Sequence, residues 1–381
     1  MRRIGISILI ILISLFGLNV AALFMHKKSV NAAFLILKSK LDERGSIMEF
    51  TAPEFKSYIA WKPVFSLASI SFKQGNKNDR TEILLRDLII TISTFDKKIE
   101  LSLLNDIEST ERKLNKERKF VCKFAADTSL KIDLDASVDL FLRDLDEEPL
   151  AKIKTLSFAN SSFSTYELFA DNSIENIFTA LDNFILIKKE NNSLDNDKEN
   201  YKLDISGGMK QGFYNPNSKD KYTKMLARFG NALSEIKLSY SHILTQDKKV
   251  TEEFNIYKIT SLNDVFFFNI SGKGSRSEKQ RMPEWKLEVE ANNYKEMIKS
   301  CFEILNHSIK IAGGTSLNMA NSKKIEKLIN IFSTLPEAKI TDEENIKFFV
   351  EKSDDTDFKV GGVNISVISN EISKIFIGYL K

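Results

Sequence analysis

The stretch from residue 130 to residue 143 reads LKIDLDASVDLFLR, and it alternates apolar with polar side chains except at Phe141. Every even-numbered position from Leu130 to Leu142 is apolar. A period of two is typical of a β-strand with one buried face and one solvated face. The sequence therefore predicts one strand over Leu130–Leu142, with the even-numbered residues in the core and Asp133, Asp135 and Asp139 facing water.

Shorter alternations on both sides of this stretch predict further strands. They cover Leu88–Ile92, Ile99–Leu103, Ile236–Tyr240 and Trp285–Val289. Phe72–Arg80 and Gly272–Arg281 have the composition of turns between neighbouring strands. Strands with one solvated face belong to antiparallel sheets, so the pattern indicates long antiparallel sheet.

Apolar residues at helical spacing predict four amphipathic helices among these strands. They cover Ile174–Leu181, Tyr222–Leu233, Tyr294–Leu305 and Ile325–Phe332. The fold class predicted is α+β, with long antiparallel β-sheet and helices packed on it. The polar stretch Lys188–Asn200 is the predicted linker between a β-rich part, residues 29–187, and an α+β part, residues 201–381.

The first residues of the chain predict a membrane anchor. The uncharged run Ile4–Met25 has 22 residues, which as a helix spans about 33 Å and so crosses a hydrocarbon layer of about 30 Å. We expect Ser29–Leu41 to continue this helix outward. A signal peptide cleaved near Val20–Ala22 is the alternative, although the apolar run continues beyond that point.

The charges around this run indicate where the body lies. Arg2 and Arg3 precede the apolar run, and a large body follows it, which is typical of a signal anchor. The sequence therefore predicts a single-pass protein of the inner membrane with its body in the periplasm.

Composition narrows the possible functions. The chain has 381 residues and a net charge of +3, from 55 basic and 52 acidic side chains. Four of the basic residues fall in the first 28 positions, so the body is close to neutral and has no electrostatic footprint for nucleic acid. Three His and two Cys leave little material for metal sites or nucleophile–base pairs. Cys122 and Cys301 lie far apart in sequence, and whether they form a disulfide is left open.

The densest group of carboxylates follows the predicted strand. Its members are Asp133, Asp135, Asp139, Asp144, Asp146, Glu147 and Glu148. Such oxygens bind hard cations, but strand alternation already explains the first three as a solvated face. We therefore predict no metal site here.

The histidines and serines are equally well explained by structure. His242 is in phase with Leu238 and is predicted to be a core histidine. His307 is predicted near a helix C-terminus, and His26 at the membrane boundary. Ser218–Lys221 and Ser234–Lys237 match the SxxK pattern of serine enzymes, but the SDN and KTG motifs that accompany this pattern are missing from the sequence.

The glycine pairs lack the ending of a phosphate-binding loop. They are Gly207-Gly208, Gly313-Gly314 and Gly361-Gly362, and turns or bulges are predicted at the first and third. No catalytic, cofactor-binding or metal-binding residue is predicted, and we expect a protein that is not an enzyme.

Phenylalanine is unusually frequent, with 28 Phe against nine Tyr and two Trp. These rings fill a core, or they line a groove that shelters an apolar ligand such as lipid. The basic loop Gly272–Arg281 similarly has two interpretations, a solvated hairpin tip or a contact with acidic lipid headgroups or cell-wall polymer.

Three features together resemble an uncharacterised family of bacterial envelope proteins, a domain of unknown function related to AsmA-type and YdgA-type proteins. The features are the anchor, the segment Trp61–Leu67, and the C-terminal pattern of helix Lys323–Thr334, strand Ile346–Val350 and Phe358–Asn364. The resemblance implies an N-terminal anchor with an extracytoplasmic β-rich body, and it brings no catalytic residues.

The expected function is a non-enzymatic, membrane-anchored envelope protein that binds lipid or a partner protein in the periplasm. The alternative is an anchored hydrolase of cell-wall or lipid substrates with a dispersed pair of carboxylates. An apolar surface open to solvent favours the first, and two carboxylates facing each other about 5–9 Å apart favour the second.

Overall fold

The computed structural model describes residues 2–57, 59–76, 79–113, 116–143, 145, 152–191, 200–244, 250–277, 280, 283–311, 322–342, 344–353 and 357–377. Two compact units divide the chain. Unit 1 comprises residues 1–176 and 183–189, and unit 2 comprises residues 177–182 and 190–381.

The secondary structure is mostly antiparallel strand with six described helices, which confirms the α+β class. The helices are α1 (Arg2–Glu43), α2 (Val138–Arg143), α3 (Lys221–Leu226), α4 (Tyr294–Ile311), α5 (Ser322–Ser333) and α6 (Ile365–Ile377). The strands of unit 1 are β1 (Ser46–Phe50), β2 (Glu54–Ser57), β3 (Val64–Gly75), β4 (Asp79–Ser93), β5 (Lys98–Leu103), β6 (Ile107–Lys113), β7 (Lys116–Phe124), β8 (Ser129–Leu134) and β9 (Ile153–Leu168). Strand β10 (Ile174–Asn191) contributes residues to both units. The strands of unit 2 are β11 (Tyr201–Tyr214), β12 (Ala232–Leu244), β13 (Val250–Leu262), β14 (Phe267–Ser277), β15 (Glu284–Asn292), β16 (Lys339–Asp342), β17 (Asn345–Ser353), β18 (Asp357–Val360) and β19 (Val363–Asn364).

Two long strands organise the sheet of unit 1. One edge of β4 pairs with β3, and its other edge pairs first with β6 and then with β5. Strand β9 likewise pairs with β8 and then with β7. Asp87 adopts a φ of 52° where β4 changes partner, a conformation that Asp tolerates better than most residues.

Helix α1 forms part of the core of unit 1. Val30 and Ala33 are buried in the same cluster as Phe65 and Leu67, two buried apolar residues of the Trp61–Leu67 segment. The helix continues without a break to Glu43, which confirms the predicted extension over Ser29–Leu41. The C-terminal half of α1 is therefore a structural element of unit 1 as well as a continuation of the apolar run.

The predicted strand over Leu130–Leu142 is wrong in its second half. Strand β8 ends at Leu134, and α2 begins at Val138. Phe141 is 5% exposed and Leu140 is 42% exposed, which is the reverse of the predicted phase.

The reason for this difference is a helix start at Ser137. Its hydroxyl accepts a hydrogen bond from the Leu140 N–H, at 3.4 Å. Val138, Phe141 and Leu142 then fall on one face of a helix, at spacings of three and four residues. Val138 and Leu142 fit both the strand period of two and the helix spacing of three and four residues. Among the three buried residues, Phe141 is therefore the one that distinguishes a helix from a strand.

The sheet of unit 2 runs as a meander from β11 to β15, and β17 follows next to β15. Helices α4 and α5 meet the sheet in a second core. Its buried residues are Ala291, Tyr294, Ile298, Leu328 and Ile346. The predicted helices over Tyr294–Leu305 and Ile325–Phe332 are confirmed as α4 and α5, and the strands over Ile236–Tyr240 and Trp285–Val289 as β12 and β15.

Two helix predictions fail. Ile174–Leu181 is the first half of strand β10. The helix over Tyr222–Leu233 is wrong in its length, because α3 ends at Leu226 and a short 3₁₀ turn covers only Ala227–Phe229. Gly230 follows, and its φ of 67° stops the helix. Residues 188–191 of the predicted linker belong to β10, and residues 192–199 lie outside the described residues.

The turn predicted over Phe72–Arg80 begins too early, because β3 continues to Gly75, and β4 begins at Asp79. The turn predicted over Gly272–Arg281 begins too early, because β14 continues to Ser277. A Cβ at Gly274 would collide with the ring of Phe254 on the neighbouring strand. Gly274 leaves room for that ring because it has no Cβ, and it does not mark the end of the strand.

Candidate functional site

The sheet of unit 2 has one predominantly apolar face. Cross-strand pairing places Ile205 opposite Leu238, Leu238 opposite Ile256, and Ile259 opposite both Ile236 and Ile270. Residues paired in this way point to the same side of an antiparallel sheet. The apolar sheet face comprises Leu203, Ile205, Ile236, Leu238, Phe254, Ile256, Ile259, Ile270, Leu287 and Val289.

The opposite face of the same sheet is polar and paired. Lys258 lies 2.6 Å from Glu235, and Lys347 lies 2.7 Å from Glu288. Exposed pairs of this kind contribute little to stability, but they show that this face is solvated. The two faces therefore differ sharply in chemistry.

The apolar sheet face is only partly covered. The core formed with α4 and α5 takes in Phe268, Ala291, Ile346 and Phe348, at one end of the face. Further along the strands, Ile236 is 40% exposed, and Leu238 and Ile256 are half-buried. A contiguous apolar surface that stays exposed is a candidate binding surface for lipid, ligand or protein.

A group of polar side chains closes the other end of the face. Tyr201, His242, Glu252 and Arg276 pair across four adjacent strands, so they lie on the apolar side. The ring of Tyr201 stacks on His242 with centroids 5.3 Å apart. The Tyr240 hydroxyl donates a hydrogen bond to Glu252 Oε1 at 2.9 Å. The pKa of Tyr240 is raised, mainly because the hydroxyl is buried and next because of this carboxylate. Arg276 Nη1 lies 3.6 Å from Glu252 Oε2.

His242 is therefore not the core histidine predicted from its phase. It is half-buried, because its strand extends beyond the part of the sheet that α4 and α5 cover. The sequence contains no signal for its neighbours Glu252 and Arg276, since only strand register brings the three together.

A groove of about 550 Å³ lies between α5 and α6, also in unit 2. Ile331, Leu335 and Ile368 contribute to its apolar lining. Lys327 and Lys374 add charge to the lining, and Lys374 is 2.5 Å from Glu371 on the same helix. The volume is within the range of ordinary ligand sites.

In unit 1, His26 is buried within the protein. Its Nδ1 lies 2.9 Å from Asp139 Oδ1, and its Nε2 lies 3.4 Å from Thr94 Oγ1. The hydrogen bond with His26 is the main cause that lowers the pKa of Asp139. This contact joins α1 to α2, and the strand prediction concealed it by placing Asp139 in solvent.

The described carboxylates at the end of β8 and just after it pair with different lysines. Asp133 lies 3.6 Å from Lys98, and Asp135 lies 3.0 Å from Lys189. Asp144, Asp146, Glu147 and Glu148 lie outside the described residues. Within the described part of the chain, no three His, Cys, Asp or Glu side chains are arranged to hold a metal ion.

The serine motifs do not form nucleophile–base pairs. The Ser218 hydroxyl is buried and accepts from the Asp220 N–H at 3.0 Å, at the start of α3. Ser234 and Lys237 are three residues apart on β12, so they point to opposite faces of the sheet. Cys122 and Cys301 are free thiols.

The remaining glycine and basic motifs are structural where they are described. Gly207 and Gly208 pair regularly within β11, and the bulge follows at Met209–Gly212. Gly361-Gly362 forms the predicted turn, with φ of 55° and 82°. Gly313–Ser316, Lys279 and Arg281 lie outside the described residues, as does the His307 side chain.

No protein-family model matches the chain, and no curated protein has a significantly similar sequence. The resemblance to AsmA-type envelope proteins stays a prediction.

Proposed function

We propose that the protein is a non-enzymatic, membrane-anchored protein of the bacterial envelope that holds the acyl chains of lipid on its apolar sheet face. The observation that carries this proposal is the incomplete burial of that face, where Ile236, Leu238 and Ile256 keep part of their surface exposed. Covering such surface is favourable by about 25 cal/mol per Å².

The layout of the face suits an amphiphile better than a purely apolar ligand. Aliphatic side chains line the middle of the sheet, and the polar group around Glu252 and Arg276 closes one end. A lipid would place its chains along the former and its headgroup beside the latter. Partner proteins more often present aromatic and arginine anchors to well-formed pockets.

The N-terminal helix supports the membrane part of the proposal. Among the described residues, one helix, Leu18–Glu43, is long and apolar enough, by length and composition, to cross a membrane. The apolar run Ile4–Met25, which overlaps the start of this helix, begins after Arg2 and Arg3. We place the anchor in the inner membrane and the body in the periplasm, where an anchored lipid-binding protein stays beside a source of lipid.

The direct test is site-specific photocrosslinking in the full-length protein. A benzophenone amino acid at Ile236 should form lipid adducts that mass spectrometry identifies, because this residue is exposed on the apolar sheet face. Lys237 is the matched control, since it is exposed on the next position of β12 and points to the polar face. Equal lipid adducts at both positions, or protein adducts alone at Ile236, would contradict lipid binding.

The side of the membrane is tested with a thiol that the protein already has. Cys301 is free and exposed on α4. A membrane-impermeant maleimide should label it in intact spheroplasts if the body is periplasmic, with a Cys301→Ser variant as the control. Labelling only after lysis would place the body in the cytoplasm.

A further inference from the structure

Two exposed turns of unit 1 meet beside α1. The first is residues 59–62, between β2 and β3, and the second is residues 94–97, between β4 and β5. The Thr94 N–H donates to the Trp61 carbonyl at 3.0 Å, and the Thr94 hydroxyl lies 3.4 Å from His26 Nε2. Together they form one surface, which we call the turn pair.

The turn pair contacts α1 inside the apolar run. The Asn19 side chain accepts a hydrogen bond from the Ala60 N–H at 2.9 Å. Four residues later, Leu23 is buried in the protein. The part of the apolar run that precedes the first of these contacts is therefore Ile4–Leu18.

This shortened run does not cross a membrane unaided. Its 15 residues span about 22 Å as a helix, whereas the hydrocarbon layer is about 30 Å thick. Reaching 30 Å requires about 20 residues, which extends the span from Ile4 to Leu23. If α1 crosses the bilayer, the part of unit 1 that contacts Asn19 and Leu23 must lie at the edge of the hydrocarbon.

The turn pair presents side chains that suit this position. Ile59 is 45%, Trp61 57% and Phe95 82% exposed. Lys62 is exposed on the first turn beside Trp61. Tryptophan concentrates at the membrane–water interface, where its ring is apolar and its N–H remains hydrated, and lysine reaches toward headgroups.

We propose that the turn pair is a membrane-seating surface, with Trp61, Ile59 and Phe95 inserted at the headgroup level of the bilayer that α1 crosses. The occupant of this surface is the lipid bilayer itself, because the Asn19 contact fixes the turn pair beside α1. The 15 apolar residues before Asn19 are too few to span the hydrocarbon, so the turn pair must lie at its edge. The proposal depends on the anchor of the proposed function. It adds that unit 1 contacts the membrane surface directly, at a fixed depth, in addition to being attached to it through α1.

The test measures the depth of one indole in reconstituted full-length protein. A Trp285→Phe variant leaves Trp61 as the only tryptophan. In vesicles of phosphatidylcholine brominated along the acyl chain, we expect Trp61 emission to shift to the blue and to be quenched, most strongly by bromines nearest the headgroup.

The matched control places one tryptophan at the far end of β5. A Trp61→Phe, Trp285→Phe, Leu104→Trp variant carries its indole at an exposed site about 20 Å from the turn pair, the length of a six-residue strand. This indole should show water-exposed emission and the same intensity in brominated vesicles as in vesicles of unbrominated phosphatidylcholine.

Two further outcomes separate this proposal from the proposed function. If alkaline carbonate leaves the protein in the membrane and Trp61 is quenched no more than Leu104→Trp, the seating surface is refuted and the anchor stands. If carbonate releases the protein, the anchor fails and the seating surface fails with it. Quenching of Trp61 by deep-chain bromines alone would also overturn the headgroup depth.

Discussion

His26 and Asp139 join α1 to α2 through a hydrogen bond of 2.9 Å. Because the pKa of Asp139 is held below its ordinary value of 3.8, the folded protein favours the ionised carboxylate. This contribution to stability is fully present above pH 3.8 and is lost as the pH falls through the lower pKa of the folded state.

An Asp139→Asn variant tests this linkage at the residue scale. We expect the free energy of unfolding to differ most from wild type at pH 5, and the difference to shrink as the pH falls below about 3.8. Chemical unfolding in detergent at several pH values measures it, and Asp96→Asn, at an exposed carboxylate, is the control. A difference that grows toward low pH would contradict the linkage.

Helix α2 provides the clearest prediction at the scale of elements. Phe141→Ala should cost about 3–5 kcal/mol of unfolding free energy through lost burial and a cavity, whereas Leu140→Ala, on the exposed side, should cost under about 1 kcal/mol. Leu134→Ala, at the buried end of β8, should cost about 2–5 kcal/mol. Leu140→Ala costing more than Phe141→Ala would restore the strand phase and refute the helix.

The elements that could be predicted from the sequence are those with one solvated face. β5 and β15 alternate cleanly because their polar residues face water. The first half of β10 has the apolar spacing of a helix because Ile177 and Phe178, which are adjacent in sequence and lie on opposite faces of the strand, are both half-buried. Apolar residues on both faces remove the period of two that identifies a strand. The apolar face of β12 can be predicted because this strand also alternates between apolar and polar residues. The polar group at the end of that face cannot be predicted, because it depends on the register that pairs His242 with Glu252.

At the scale of the whole molecule, the anchor is tested by a charge within the apolar run. Ile13→Arg should cost about 2.5–3.5 kcal/mol of insertion free energy and move much of the protein into the alkaline carbonate supernatant. Leu37→Arg is the matched control on the same helix, at a position exposed beyond the run, and should remain in the pellet. Equal retention of both variants would show that residues 4–25 do not hold the protein in the membrane.

Helix α1 is shared between the apolar run and the core of unit 1, and this has a consequence for biosynthesis. If α1 enters the translocon, it does so before β3 and β4 are synthesised. Val30 and Ala33 would then stay exposed at the membrane surface until the strands that bury them have folded. Proteolytic trimming before Asn19 would remove most of the bilayer segment and spare the contacts of Asn19, Val30 and Ala33 with unit 1. Trimming beyond residue 33 would expose Phe65 and Leu67 and leave a chain prone to aggregate. A soluble fragment intended for crystallisation should therefore retain the helix from about Asn19 onward.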